Sequence, residues 1–127
     1  MSYTFSKITD MEFDEAVLKT TEELNKEGFG ILTEIDIRET FKNKLNVDFR
    51  KYKILGACNP PFAYRALMTE PEIGSMLPCN VIVQQTEKGV MVSAVDPVAS
   101  MVAVKNDELG ELATEVSSKL KKVIENI

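Results

Sequence analysis

The stretch that decides the fold is Cys79-CNVIVQQTEKGVMVSAVDP-Pro97. Two runs rich in β-branched residues, Cys79 to Thr86 and Val90 to Val95, flank the short polar segment Glu87-Lys88-Gly89. That pattern predicts a hairpin. A hairpin is antiparallel by construction, so the sheet is not the purely parallel kind that alternating strands and helices build. The apolar residues of the first run alternate imperfectly, as in a strand buried on much of both faces. Asp96-Pro97 ends the second run.

Upstream, Tyr3 to Ile8 alternates weakly and reads as a first strand. A helix start follows at Thr9, with Glu12 completing a capping box and Ile8 and Phe13 placed as a hydrophobic staple. Phe13, Ala16, Val17, Thr20 and Leu24 recur at helical spacing, and Gly28 fits the position just past the helix end. In GILTEIDI, Ile31, Thr33, Ile35 and Ile37 are expected on one face, with Glu34 and Asp36 on the other. Asp36 is placed to cap a short helix carrying Phe41 and Leu45, and Asn46 to Lys51 reads as a loop.

YKILGAC, Tyr52 to Cys58, reads as a third strand. Asn59-Pro60-Pro61 then opens a helix that continues through Met68, because proline is tolerated in a first helical turn. Thr69 to Pro71 interrupts it and Gly74 marks a turn. Downstream of the hairpin a last helix starts near Asn106, with Leu109, Leu112, Val116, Leu120, Val123 and Ile127 forming one stripe. The expected fold is α+β. It has about five strands including the antiparallel hairpin, two long helices on one face, and shorter helices after the second and third strands.

The 127 residues read as one domain. A net charge of -5 lacks the basic footprint that a phosphate backbone requires, so nucleic acid is not an expected partner. Lys119, Lys121 and Lys122 cluster in the last turns of a helix, where cations complement its dipole. No apolar run is long enough to span a bilayer, and the first residues lack the basic and apolar regions of a secretory signal. A cytoplasmic protein with reduced thiols is expected, with no membrane partner. There is no histidine, which removes Ser-His-Asp and Cys-His catalysis within one chain.

Chemistry is sought in the two cysteines. Cys58-Asn59 and Cys79-Asn80 share a context, with Pro60, Pro61 and Pro78 beside them. A thiol just before a helix N-terminus meets partial positive charge and free N–H groups, which favour thiolate. A ligand-binding or redox site would take Cys58 as the reactive thiol and Cys79 as its partner. Asn59, Pro60, Arg65, Pro78 and Asn80 would be its surroundings, with Asn59 capping the helix or donating to a ligand. Against this stands the plain role of cysteine as a small buried hydrophobe. A thiolate metal site shared across a dimer, with Met68, Met76 and Met101 as further soft ligands, is the weakest alternative. The residues name no cofactor, metal or substrate.

YKILGACNP (52–60), FAYRAL (62–67), IGSMLPCNVIV (73–83) and the Asp96-Pro97 pair together resemble the bacterial and archaeal family catalogued as domain of unknown function 302. Cys58, Asn59, Pro60, Gly74, Pro78, Cys79 and Asn80 match its motif positions. The resemblance spans essentially the whole chain. It implies a small α+β domain that is often a homodimer, and it assigns no catalytic residue. A non-enzymatic homodimeric module is therefore the rival to a ligand or redox site.

Overall fold

The computed structural model describes residues 2–127. The strands are β1 (Thr4–Thr9), β2 (Gly30–Asp36), β3 (Tyr52–Cys58), β4 (Cys79–Thr86) and β5 (Gly89–Val95). The helices are α1 (Phe13–Lys26), α2 (Ile37–Leu45), α3 (Pro60–Thr69), α4 (Pro97–Ser100) and α5 (Asp107–Glu125), with a 3-10 helix at Pro71–Met76. The strands form one sheet in the order β1-β5-β4-β3-β2, and every pairing is antiparallel. The architecture is the α+β one that the hairpin implies.

The pleat sorts the sheet into two faces. Leu55, Ala57, Val81, Val83, Val92 and Ala94 lie on one, fully buried beneath α1 and α5. Removing each of the larger of these side chains from water contributes about 1.5–3 kcal/mol. From α1 come Phe13, Ala16 and Leu24; from α5 come Val116, Leu120, Val123 and Ile124. The α5 stripe is buried from Leu109 to Val123, and Asn106 caps the helix by accepting from the Leu109 N–H at 3.2 Å.

Gly28 ends α1 as its spacing predicts. Its φ is 87°, a region open to glycine at little cost. Its N–H donates to Asn25 O and that of Phe29 to Leu24 O, the paired bonds of a Schellman end. Asp36 caps α2 by accepting from the Glu39 N–H at 2.9 Å.

Two local expectations fail. Thr9 does not cap α1. It is the last residue of β1, paired with Val90, and its hydroxyl accepts from the Met11 N–H two residues on. Helix α1 begins at Phe13 with Glu12 before it and no side-chain cap, and Ile8 is an exposed sheet residue rather than a staple. Sheet pairing displaces the capping box. In β2 the simple alternation is broken by a bulge between Ile31 and Thr33. A bulge inserts one residue and flips everything beyond it. Ile31 therefore packs against the core while Thr33 and Ile35 lie on the other face, and Glu34 on the helix side pairs with Lys53 at 2.7 Å.

That other face stays largely open. Ile8 and Ile35 are 43% and 45% exposed, and Ile54, Ile82 and Met91 are half-buried. The strand registers place no charged side chain on it. At one end it is bordered by Phe41, Phe49 and Tyr52, with the Arg50 guanidinium 4.4 Å from the Phe49 ring centre.

Candidate functional site

The chain passes from β3 directly into α3 at Cys58-Asn59-Pro60, and it enters β4 from the 3-10 helix through Leu77-Pro78-Cys79. Because β3 and β4 are antiparallel neighbours, with Ala57 opposite Cys79, both cysteine segments lie at the same end of the sheet. Helix α5 runs past that end, and α3 packs against it. The corner where α3, α5 and the strand ends meet is not filled.

A cavity of about 290 Å³ lies there. Phe29, Phe62, Ala66, Leu109, Leu112 and Ala113 form much of its wall, and Cys58, Asn59, Pro78 and Cys79 contribute at the sheet end. Small side chains from both helices are in its wall, Ala63 and Ala66 of α3 and Ala113 of α5. Among its lining residues none is charged, and Asn59 alone bears an amide.

The candidate residues divide between this cavity and the surface. Cys58, Asn59, Pro78 and Cys79 line it; Pro60, Arg65 and Asn80 do not. Pro60 is the exposed first residue of α3. Arg65 is exposed on the same helix, its guanidinium 5.8 Å from the Phe62 ring centre. Asn80 is exposed, pairs with Gly56, and points away from Cys79 and Val81 by the pleat of β4.

The thiols are free, Cys58 half-buried and Cys79 buried. They sit at the same end of adjacent strands, and both line the cavity. Burial pushes the Cys79 thiol up to about 11, and a charge on Cys58 would add to that push. Desolvation of the thiolate is the dominant cause. The first turn of α3 also has little to offer an anion. Pro60 and Pro61 carry no N–H, so Phe62 supplies the first free donor. Among the described residues no group of three or more cysteines or carboxylates is gathered to hold a metal.

Asn59 differs from expectation in a useful way. It occupies the cap position of α3 but makes no capping bond. Its Nδ2 instead donates to Glu27 O at 3.2 Å, tying the start of α3 to the end of α1. Gly28 permits this approach, since a Cβ there would stand 3.1 Å from Nδ2. Glycine is required a second time at Gly56, where a Cβ would collide with the Thr33 hydroxyl and with Pro78. Asn59 and Pro78, the residues these two glycines leave room for, both line the cavity.

The family model described as "Domain of unknown function DUF302" matches residues 5–127, and the chain belongs to that family. No curated protein matches it. The crystal structure of uncharacterized conserved protein DUF302 from Bacillus stearothermophilus shares the fold with a TM-score of 0.93 at 24% identity. The match covers 99% of this chain and 98% of that one. No helix among the described residues is long and apolar enough to cross a membrane.

Proposed function

We propose that this DUF302 domain is a binding module that takes a small uncharged apolar molecule into the cavity between α3 and α5. The cavity itself carries the reading: about 290 Å³ of space walled almost wholly by aliphatic and aromatic side chains. An apolar cavity of about 150 Å³ already accepts benzene. This one is about twice that volume and open to solvent on one side, so it suits a ligand of two to three aromatic rings. A charged group has no partner inside it, so burying one there would be strongly unfavourable. The thiols serve as soft lining. A nucleophilic role for Cys79 is opposed by its raised pKa.

The test is the fluorescence of N-phenyl-1-naphthylamine, which brightens in apolar surroundings. Titration into the protein should give saturable enhancement at one site per chain. Ala113→Phe, which grows a ring into the cavity, should abolish it while the melting transition persists. Ala63→Phe, from α3, serves as a second filled variant. Enhancement that survives in both variants would place the dye elsewhere and end the proposal.

A second reading concerns assembly, and it rests on the open sheet face. We infer that a second copy of the chain covers it, so the protein is a homodimer. Charged residues are depleted at the cores of protein interfaces, and the registers put none on this face while Ile8, Ile35, Ile54, Ile82 and Met91 are gathered there. Sedimentation velocity should show a dimer, and Ile82→Glu should yield a folded monomer. A wild-type monomer at tens of micromolar would rule this assembly out.

A further inference from the structure

We propose that the ligand carries one hydrogen-bond donor, a hydroxyl or N–H on an otherwise apolar body, and that Asn59 Oδ1 receives it. This rests on the binding module proposed above and specifies its ligand. The Asn59 side chain is nine-tenths buried and lines the cavity. Its two polar atoms are not equivalent. A backbone carbonyl only accepts, so the atom bound to Glu27 O must be the amide nitrogen. That fixes the amide orientation. Oδ1 is left as the acceptor, and among the described residues it takes no hydrogen bond.

The polarity is the reverse of what an asparagine before a helix first suggests. Of the N–H groups a cap residue accepts from, Pro61 lacks its own and only that of Phe62 remains; Asn59 makes no capping bond and donates Nδ2 to Glu27 O instead. With Nδ2 held by α1, the carboxamide is fixed in place rather than free to turn. A fixed acceptor at the wall of an uncharged apolar cavity favours a ligand that can donate to it over one that cannot. The ligand class that meets these features is a neutral hydroxyl or N–H compound, such as a phenol, alcohol or indole, with a two-ring or comparably sized apolar body. A carboxylate is excluded twice, by its charge and by having no proton to give.

The experiment compares 2-naphthol with 2-methylnaphthalene, which replaces the hydroxyl by a methyl of similar size. Affinities for the full chain are read by displacement of N-phenyl-1-naphthylamine. The quantity of interest is the ratio of the two affinities in wild type against that in Asn59→Leu. A net hydrogen bond corresponds to a loss of roughly three- to tenfold in the naphthol preference. Taking a ratio within each variant cancels general loosening of the cavity. Should Asn59→Leu fail to fold, the Asn59 side-chain amide resonances of wild type provide the readout. They should shift with 2-naphthol at saturation well beyond their shift with 2-methylnaphthalene. If both compounds bind but neither the ratio nor the amide distinguishes them, the hydroxyl has no acceptor at Asn59. The inference is then overturned while the binding module stands. If neither compound binds, the module itself is wrong and this inference falls with it.

Discussion

Cys79 should resist alkylation in the native protein far beyond what its partial access to the cavity alone would suggest. Its ordinary pKa of 9.0 is raised to about 11 by burial. At pH 8 a thiol of pKa 9.0 is roughly one-tenth thiolate, whereas Cys79 is roughly one-thousandth, since each pKa unit is tenfold in ionisation. Iodoacetamide reacts with the thiolate, so Cys79 should label about a hundredfold more slowly than in unfolded protein. Mass spectrometry can follow the peptides carrying Cys58 and Cys79 separately, from pH 7 to pH 10.5. The same difference acts on stability. The unfolded chain loses this proton first as pH rises, so stability is complete below about pH 9 and falls toward pH 11. The limit is about 3 kcal/mol, the free-energy equivalent of the hundredfold. Cys79→Ala should remove most of that alkaline loss. A native labelling midpoint at or below 9.0 for Cys79 would refute the reasoning and reopen the case for a reactive thiol.

Three further outcomes are expected. Gly28→Ala should lower stability in urea by at least about 1–2 kcal/mol, because φ at this position lies in the left-handed region and the new methyl crowds Asn59; an unchanged midpoint would contradict the Schellman end. Cys79→Ser should cost about 1–3 kcal/mol by burying a hydroxyl without a partner, and more than Cys79→Ala, as read by thermal and urea unfolding. Hydrogen bonds from Lys26 and Lys19 hold the Glu23 carboxyl below its ordinary pKa of 4.5. Its contribution is thus present above that value and lost as pH falls through the lowered one. Glu23→Gln should flatten the acid limb of stability against pH, and an unaltered limb would show that the pairing is inconsequential.

The parts of the fold that could be read from sequence are those fixed by neighbours a few residues apart. The hairpin around Glu87-Lys88, the glycine end of α1 and the caps at Asp36 and Asn106 all belong to this class. Thr9 carried an equally good local signal, but its pairing with Val90 lies in a different part of the chain and prevailed. The β2 bulge is of the same kind. Nothing in GILTEIDI marks it, and it arises where β2 fits against β3 beside Thr33 and Gly56.

The candidate site was legible only in outline. Adjacency of the cysteine segments follows once β3 and β4 pair, but the cavity wall joins alanines of α3 with Ala113 of α5, about fifty residues downstream. Spacing rules do not reach that far. One feature was available in the letters alone: two successive prolines leave the start of α3 short of the donors that a thiolate would need. The bond from Asn59 to Glu27 was not, because it joins residues 32 apart.

The most direct test of the binding account is a titration of uniformly 15N-labelled protein with naphthalene, followed by amide chemical shifts. The account predicts saturable shifts concentrated at Phe62, Ala63, Leu112 and Ala113 around the cavity, with the open face near Ile82 and Met91 unmoved. Absence of saturable shifts at the α3–α5 corner, or shifts confined to the open sheet face, would contradict it.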